Sequence, residues 1–386
     1  MSYDIYSQVQ MMKAVLGLED GTVIKGTGFG AEGTACGELV FTTQFTGYEE
    51  ALTDPSYKGQ LLMFTNPLIG NYGINGKRAQ SDAIHAEGLV VREACKTPYH
   101  YKSTRSIHKF LEDEGKPGIE GVDTRMLTIK TREHGTMRAA LINGSCDGEE
   151  AVELARSFPQ ITDQELISLV TCKKPYFIEG EKGAKGAWEG SKPKHAVVID
   201  LGIKRSILNN LNKRGIDLTV VPATTTPSEI AGYEPDMLCV SNGPGDPEKA
   251  REAIEAVKYF AGTIPVCGIC FGHQIISLAL GAKTYKLKFG HRGGNQPVKD
   301  LQENRVFITS QNHGFAVDAD SLEGTGLYVK YLNANDGTVE GVSHKDLDVF
   351  SVQFHPEAQA GPLDTEEVFF NRVVKVLGGE PQGGEF

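Results

Sequence analysis

The segment Gly268-Ile269-Cys270-Phe271-Gly272 contains the residues of this sequence best suited to covalent chemistry. The pattern G-x-C-x-G has the form of a nucleophile elbow, a sharp turn between a strand and a helix that presents a reactive side chain. Glycines flank the cysteine because neighbouring chain comes too close there for a Cβ atom. A helix that begins at the turn favours the negatively charged thiolate. The pattern therefore predicts that Cys270 is a nucleophile.

Cys267 and Cys270 also form a C-x-x-C pair, which offers two alternatives. The pair could bind zinc together with His273, but zinc needs a fourth ligand and none is evident at a suitable spacing. A redox pair of the thioredoxin kind would place its first cysteine at the start of a helix. Here the second cysteine occupies the turn and the first lies in an apolar run, which favours the nucleophile.

A thiolate nucleophile needs a base, and the base needs a group that orients it. An apolar run that begins at Val349 ends in His355-Pro356-Glu357. The proline ends the strand and would hold the imidazole and the carboxylate toward one site. From the residues alone, three other histidines remain candidate bases: His273, His313 and His344.

The loop Ser241-Asn-Gly-Pro-Gly-Asp-Pro247 follows another apolar run. Ligands of open α/β sheets bind at the carboxyl ends of parallel strands, and backbone N–H groups of such a loop could stabilise an oxyanion. An ordinary tight turn is the alternative. The loop lacks the G-K-[ST] ending of a phosphate-binding P-loop.

The elements that would position these residues follow from the apolar pattern. Short continuous apolar runs alternate with helical segments, which predicts a mostly parallel sheet covered on both faces, an α/β arrangement. After Thr284 the pattern changes to strands and turns and predicts an antiparallel extension. The predicted parallel strands are 195–200, 218–221, 237–240 and 264–267, and the later ones are 306–308, 327–331 and 349–354.

The N-terminal part has short strands with glycine-rich turns and later helices, which predicts a separate α+β domain. Its predicted strands are 14–18, 23–24, 38–41, 61–64 and 88–91, and its helices lie near 106–114 and 124–133. Residues 175–194, rich in Gly, Lys and Glu, are interpreted as a linker. The predicted domain organisation is 1–150, a connecting segment 151–194, and a domain 195–386.

The composition excludes several classes of function. The 386 residues are 40% hydrophobic and 23% charged, as in ordinary two-domain globular proteins. A net charge of −11 argues against a nucleic-acid binder. No signal peptide and no membrane-spanning apolar run is expected. Seven cysteines, an odd number, predict a reducing compartment and hence the cytoplasm.

Three motifs together resemble the class I, or triad, glutamine amidotransferases. S-N-G-P-G-D-P, P-V-C-G-I-C-F-G-H-Q and Q-F-H-P-E occur in that family's order within residues 195–376. The resemblance implies a catalytic triad of Cys270, His355 and Glu357. It also implies an oxyanion hole formed by the backbone N–H groups of Gly243 and Phe271.

Further segments resemble the small subunits of carbamoyl-phosphate synthetases, and with them the resemblance covers nearly the whole chain. They are 45–57, 66–71, 121–128, 310–315 and 355–365. By this resemblance the glutamine-binding residues are Gln44, Gly243, Gly245, Phe271, Gln274, Asn312, Gly314 and Phe315. Gln44 stands where family members often have Ser, and Ala360 where they often have Pro or Ser. The segment 283–292 is interpreted as ordinary surface.

The resemblance implies hydrolysis of L-glutamine through a thioester. The ammonia would pass to a large ATP-dependent subunit, in a heterodimer that makes carbamoyl phosphate from bicarbonate for arginine or pyrimidine synthesis. No metal or cofactor is expected in this chain, whereas ATP and Mg are expected in the partner. Neither nucleic acid nor membrane is an expected partner. The alternatives are an amidotransferase that serves a synthetase for GMP, CTP or anthranilate, and a catalytically inactive scaffold on the same fold.

Overall fold

The computed structural model describes residues 12–181 and 193–380. The strands within those ranges are β1 (Lys13–Leu18), β2 (Val23–Gly30), β3 (Gly33–Thr42), β4 (Gln60–Phe64), β5 (Leu68–Ile69), β6 (Gly88–Val90), β7 (Glu93–Ala94), β8 (Pro117–Glu120), β9 (Met137–Asn143), β10 (Tyr176–Ile178), β11 (His195–Asp200), β12 (Asp217–Pro222), β13 (Met237–Val240), β14 (Val266–Ile269), β15 (Thr284–Asp300), β16 (Arg305–Val317), β17 (Leu327–Asn333), β18 (Val339–His344) and β19 (Val349–Val352).

The helices of the same ranges are α1 (Tyr48–Leu52), α2 (Ile107–Asp113), α3 (Thr124–His134), α4 (Gly148–Ser157), α5 (Arg205–Asn212), α6 (Pro227–Ala231), α7 (Arg251–Phe260), α8 (Phe271–Ala279) and α9 (Glu366–Val376). Short 3-10 helices lie at Pro55–Tyr57, Ile161–Asp163, Ile167–Leu169, Pro247–Lys249 and Ala319–Leu322. None of the described helices has the length and apolar character that a membrane span requires.

The chain divides into two compact units. The first contains residues 1–41, 59–77 and 86–160, and the second contains 42–58, 78–85 and 161–386. The boundaries between these units differ from the predicted domain boundaries near residues 150 and 194. The predicted division into domains remains a prediction. In particular, residues 42–58 belong to the second unit although they lie early in the sequence, and α4 belongs to the first.

The first unit is built on a closed barrel with the strand order β1-β2-β8-β6-β4-β3-β9. Fully buried aliphatic side chains such as Leu16, Leu39 and Leu141 fill its core. The α+β character and the strands β1, β2, β3, β4 and β6 were predicted from the sequence, whereas the barrel strands β8 and β9 were not. The closure was not, because it depends on pairing of β9 with both β1 and β3, which are distant in sequence.

The second unit is built on a ten-stranded sheet with the order β10-β12-β11-β13-β14-β19-β18-β16-β15-β17. Its parallel part runs from β12 to β19, and one apolar core lies on each face of it. Helices α5 and α9 contribute to one core, and α6, α7 and α8 to the other. The predicted α/β sheet with an antiparallel extension is therefore confirmed.

Three details of the second unit differ from the predictions. Strand β14 begins at Val266 and not at Ile264, because Pro265 lacks the N–H group that a central strand needs. Strand β19 is parallel to β14 and antiparallel to β18, so it joins the two parts of the sheet. The predicted linker 175–194 begins with β10, which pairs with β12, and its residues 182–192 lie outside the described residues.

The interpretation of residues 283–292 as ordinary surface is wrong at the end of that segment. His291 and Arg292 are buried, with 8% and 4% of their surface exposed. They lie on β15, which pairs with β16 over most of its length, so their neighbours come from a distant part of the chain.

Candidate active site

Cys270 lies in a strained turn between β14 and α8. Its backbone has φ 56° and ψ −101°, a conformation that side-chain-bearing residues rarely adopt, and its side chain is buried. A Cβ atom on Gly268 would lie 2.6 Å from the carbonyl carbon of Gly272, and one on Gly272 would lie 2.1 Å from the carbonyl oxygen of Val240. Both glycines are therefore required by close packing, as expected for an elbow.

His355 follows β19 and is oriented by Glu357. The imidazole Nδ1 lies 2.8 Å from Glu357 Oε1, and both side chains are buried. Nδ1 therefore donates to the carboxylate, and the neutral ring carries its lone pair on Nε2. Nε2 has no hydrogen-bond partner within the described part of the chain. This is the arrangement of a general base whose reactive nitrogen is available.

Lys204 is a third member of this cluster, and the sequence analysis missed it. Its ammonium Nζ lies 2.8 Å from Glu357 Oε1 and donates to the carbonyl oxygen of Ala358 at 3.2 Å. The backbone N–H of Lys204 donates to the side chain of Asn242, which fixes the start of α5. A signal was present: Lys204 follows β11, and the carboxyl ends of parallel strands carry ligand sites.

The charges of this cluster are balanced although it is buried. Burial alone would raise the pKa of Glu357, but Lys204 and His355 lower it to about 2. Burial would lower the pKa of His355, but Glu357 and the Cys270 thiol raise it to about 10. The pKa of Lys204 is raised by Glu357 and Asp54 against the effect of burial. The carboxylate is thus ionised and stabilises the positively charged form of the imidazole, so a proton transferred to this ring is held there.

The competing histidines have other environments. His273 lies 2.9 Å from Ser351 Oγ through Nδ1, and burial lowers its pKa to about 3. His313 donates to the carbonyl oxygen of Phe315 through Nδ1, and burial lowers its pKa well below the ordinary value. His344 accepts two backbone N–H groups at the end of β18. Of the four candidates, His355 has the geometry of an oriented base.

Cys267 lies inside β14, opposite Cys239 on β13, and the two sulfur atoms are 3.2 Å apart. This contact and burial raise the pKa of the Cys267 thiol well above its ordinary value. This environment disfavours the thiolate of Cys267 and argues against Cys267 as the nucleophile. Among the described residues, the group of His, Cys, Asp and Glu side chains close enough to bind a metal includes neither Cys267 nor Cys270 nor His273.

The two backbone groups predicted to form an oxyanion hole lie on adjacent segments. Phe271 is the first residue of α8, where N–H groups have no partner within the helix. Gly243 follows β13, and the chain at Val240 and Ser241 lies directly against Gly272. Neither the Phe271 nor the Gly243 N–H donates a hydrogen bond within the described residues. Both are therefore available to an anionic ligand.

Three further predicted residues, Asn312, Gln274 and Phe315, belong to a hydrogen-bond network that reaches the Cys270 sulfur. Asn312 contacts the sulfur directly, whereas Gln274 and Phe315 are linked to it through Gln353. The thiol lies 3.5 Å from the carbonyl oxygen of Asn312, and Gln353 Nε2 lies 3.7 Å from the sulfur. Gln274 Nε2 donates to the oxygens of Gln353 and Phe315 at 3.0 and 2.9 Å. Gln353 was not singled out, although it lies inside the motif Q-F-H-P-E.

Asp54 also belongs to the site and was missed. Its carboxylate accepts from Asn312 Nδ2 at 3.1 Å and from the backbone N–H of Ser56 at 2.9 Å. It lies in the segment that resembles the synthetase small subunits, yet nothing in the local pattern indicates its contact with β16. Asp54 fixes the side chain of Asn312 and adds negative charge near Lys204.

Gln44 lines a small cleft together with His355, Lys204, Asn312 and Asp54. Gln44 Nε2 donates to the carbonyl oxygen of Ala360, while its Oε1 is buried and has no partner among the described residues. A bound ligand with a donor group could satisfy this oxygen.

Gly245 and Gly314 were also predicted to bind glutamine, and their recorded neighbours are residues other than Cys270, His355 and Glu357. Gly245 has φ 88°, which explains a glycine, and its neighbours are atoms of Leu166. A Cβ atom on Gly314 would meet the Arg292 guanidinium at 3.3 Å. The structure brings Cys270, His355, Glu357, Gln44, Gln274, Asn312 and Phe315 into one site, and within the described residues no recorded hydrogen bond ties Gly245 to them.

Comparison with known proteins identifies the class and then the family. Models of glutamine amidotransferase class-I and of the carbamoyl-phosphate synthase small chain, CPSase domain, match residues 197–376 and 16–141. The sheet of the second unit and the cysteine elbow thus belong to a class-I amidotransferase domain.

Three proteins named carbamoyl phosphate synthase small chain are similar over nearly the full length. The one from Methanosarcina mazei is 85% identical and covers 95% of this chain and 100% of its own. Those from Methanopyrus kandleri and Syntrophotalea carbinolica are 52% and 47% identical, and each covers 93% of this chain and 97% or 96% of its own. The chain belongs to the carbamoyl phosphate synthase small chain family.

Proposed function

We propose that this chain hydrolyses L-glutamine to glutamate and ammonia, with Cys270 as nucleophile, His355 as base and Glu357 as the residue that orients it. One observation carries the proposal. The buried imidazole of His355 is bonded to Glu357 through Nδ1, while Nε2 has no partner and the Cys270 thiol affects its pKa. A buried Cys, His and carboxylate in that relation are the parts of acyl transfer.

The first half-reaction makes a thioester. His355 Nε2 takes the proton of the Cys270 thiol, and the thiolate attacks the carbonyl carbon of the glutamine side chain. The N–H groups of Gly243 and Phe271 stabilise the oxyanion, an interaction worth about 3–4 kcal/mol per donor in other enzymes. His355 then gives its proton to the amide nitrogen, the carbon–nitrogen bond breaks, and ammonia leaves.

The second half-reaction restores the thiol. His355 Nε2 takes a proton from water, and the hydroxide attacks the thioester carbon in the same oxyanion hole. The carbon–sulfur bond breaks, glutamate forms, and the proton of His355 returns to Cys270. Every step uses side chains and backbone groups of this chain, so the half-reaction requires no metal or organic cofactor.

The test compares two cysteines of one motif. Cys270→Ser should abolish glutamine hydrolysis, while Cys267→Ser should largely retain it, because Cys267 is a neutral thiol inside β14. Mass spectrometry of the protein treated with an electrophilic glutamine analogue should find the adduct on Cys270. Labelling of Cys267, or full activity of the Cys270 variant, would contradict the assignment.

We further propose that the ammonia serves a large synthetase subunit that forms carbamoyl phosphate from bicarbonate with ATP and Mg²⁺. Membership in the small-chain family supports this proposal over a synthetase for GMP, CTP or anthranilate. Ammonia in water becomes ammonium, a poor nucleophile, so its release beside the consuming site has a chemical reason. The first unit contributes none of the triad, and we assign it the docking of this partner.

Size-exclusion chromatography and a glutaminase assay with the large subunit would test the coupling. The two chains should co-elute, and the partner with its substrates should accelerate glutamine hydrolysis. Separate elution and a fast rate that does not depend on the partner would instead indicate a free-standing glutaminase, while leaving the triad assignment intact.

A further inference from the structure

A second buried group of titratable side chains lies on the antiparallel part of the sheet. His291 is on β15, His313 on β16 and Glu340 on β18, and His291 and His313 are direct partners across the two strands. All three side chains are buried. Their ligand-type atoms lie within 4.8 Å of one another.

Each imidazole has one nitrogen engaged by an acceptor outside the group. His291 Nε2 donates to Asp336 Oδ2 at 2.9 Å, and His313 Nδ1 donates to the carbonyl oxygen of Phe315 at 2.8 Å. A neutral imidazole has one N–H only. In the neutral rings the second nitrogen, Nδ1 of His291 and Nε2 of His313, would carry the lone pair that a metal needs, and both of these nitrogens face Glu340.

The inner atoms of the group are the Glu340 carboxylate, the Gln311 amide oxygen and the two remaining imidazole nitrogens. Glu340 Oε1 lies 3.4 Å from His291 Nδ1 and 4.0 Å from His313 Nε2. Gln311 Oε1 lies 3.1 Å from His313 Nε2, and the Gln311 amide nitrogen donates to Thr309 and also interacts with Glu340. Glu340 Oε2 and His291 Nδ1 have no hydrogen-bond partner among the described residues. A buried carboxylate oxygen without a partner is unfavourable, so a cation beside Glu340 Oε2 would be stabilised.

We propose that His291, His313 and Glu340 bind one divalent transition-metal ion of the zinc type, with the amide oxygen of Gln311 as the candidate fourth ligand. This departs from the expectation that the chain holds no metal. Tetrahedral zinc bonds of about 2.0–2.2 Å place neighbouring ligand atoms roughly 3.4 Å apart. The separation of His291 Nδ1 and Glu340 Oε1 already has this value, and His313 needs to move by about half an ångström.

The surroundings of the three ligands support this assignment. Metal-bound histidines donate their other N–H to a carboxylate or a backbone carbonyl, as His291 does to Asp336 and His313 to Phe315. Glu340 is itself oriented by Asn333 Nδ2, which donates to Oε1 at 3.0 Å. Mg²⁺ and Ca²⁺ prefer six or more oxygen ligands, whereas imidazole nitrogens suit zinc and its neighbours.

The bound ion would have a structural role close to the active site. It would join β15, β16 and β18 at a point where β15 departs from regular pairing on both sides of His291. His313 is adjacent to Asn312, whose carbonyl oxygen contacts Cys270, and Phe315 accepts from both His313 and Gln274. The proposal does not depend on the reaction assigned to Cys270.

The test uses full-length protein without an affinity tag, stripped with a chelator and titrated with Co²⁺ and with Zn²⁺. It is done in a Cys270→Ser background, because thiolates also bind these ions. We expect one ion per chain and visible Co²⁺ absorption without a sulfur charge-transfer band. Glu340→Gln and His291→Asn should each weaken binding at least about tenfold. His344→Asn, on the same strand as Glu340 and outside the group, is the matched control.

X-ray absorption spectroscopy of the zinc-loaded chain identifies the atoms bound to the ion. It is done with all proposed ligands unchanged, so the result does not depend on whether a ligand variant folds. A first shell of nitrogen and oxygen only, at one ion per chain, supports the site. Three results would overturn it: no stoichiometric binding, binding unchanged in both ligand variants, or sulfur in the first shell. The first result would mean that a proton on His291, between Asp336 and Glu340, takes the place of the metal.

Discussion

Two buried clusters of the second unit combine histidine with glutamate, yet their charge balance is opposite. In the cluster that we propose to be catalytic, formed by Lys204, His355 and Glu357, the carboxylate has both the Lys204 ammonium and the His355 imidazole at 2.8 Å. In the three-strand cluster of His291, His313 and Glu340, the ion-pair partners of Glu340 are two imidazoles at 3.4 and 4.0 Å. The first cluster thus contains a lysine that balances its carboxylate, whereas the ion-pair partners of the second carboxylate among the described residues are imidazoles.

The ionisation of the two carboxyl groups follows from this difference. Burial raises the pKa of any carboxyl group. Lys204 and His355 overcome this effect and lower the pKa of Glu357 to about 2, while the pKa of Glu340 stays raised. Glu357 is thus held as a carboxylate by a lysine and a histidine, whereas the ion-pair partners of Glu340 among the described residues are His291 and His313.

The largest effect is expected when the base of the catalytic cluster is removed. His355→Asn should reduce glutamine hydrolysis by at least about a thousandfold, because the imidazole moves protons in both half-reactions. Glu357→Gln should cost less, because the carboxylate only orients and stabilises the ring. A glutaminase assay with His344→Asn as control checks the ranking. If Glu357→Gln proves the more damaging change, or either variant is fully active, another base must be sought, with His313 the first candidate.

Removal of the balancing charge should make the catalytic cluster resemble the other one. Lys204→Met removes one of the two ion-pair partners of the buried Glu357 and leaves His355 as the other. Loss of one partner of a buried ion pair lowers the free energy of unfolding by about 3–5 kcal/mol, and we expect a loss of this size. Lys258→Met is the control, since Lys258 and Glu255 form a largely exposed pair worth less than about 1 kcal/mol. Urea denaturation measures both. Equal losses in the two variants would show that Lys204 does not stabilise the buried carboxylate.

The acid dependence of stability should report the same charge balance. The folded-state pKa of Glu357 is about 2 against an ordinary value of 4.5, so its contribution is present above pH 4.5 and is lost as the pH falls toward 2. That shift corresponds to roughly 3 kcal/mol. Glu357→Gln should therefore flatten the stability profile between these pH values. A profile as steep as that of the unchanged chain would assign the acid loss to other carboxylates.

At basic pH, the loss of stability has the opposite dependence on pH. It arises from the same ion pair of His355 and Glu357, so the free energies for the acidic and basic ranges are not added. The pKa of His355 is raised from 6.5 to about 10, so its contribution is present below pH 6.5 and is lost as the pH rises toward 10. His355→Asn should flatten this limb in the same denaturation experiment.

The smallest effect is expected at the open side of the catalytic cluster. Gln44 Oε1 is a buried acceptor without a described partner, as Glu340 Oε2 is, but it lies at a cleft where substrate can bind. Gln44→Ala should raise KM for glutamine about three- to tenfold with little change in kcat, the loss of one hydrogen bond made equally to substrate and transition state. Gln44→Ser should show whether a hydroxyl can replace the amide. An unchanged KM in Gln44→Ala would remove Gln44 from the binding site.

The amino-acid sequence predicted the parts of the site that are local in the chain. Glycines around Cys270, an apolar strand before it and a helical pattern after it define an elbow within ten residues. The parallel strands were predicted for a similar reason, since continuous apolar runs such as Val197–Ile199 are a local signature of burial on both faces. His355 and Glu357 were found because they lie two residues apart after another strand.

The tertiary structure alone decided which distant residues complete the two clusters. Lys204, Asp54 and Glu357 meet because residues 42–58 belong to the second unit and because β11, β14 and β19 end at one edge of the sheet. His291, His313 and Glu340 meet because three antiparallel strands bring them together, and no spacing in the chain records that pairing. A buried charge is stabilised or left unbalanced by its neighbours in space, so the sequence could predict a nucleophile, but only the fold could show how Glu357 is balanced.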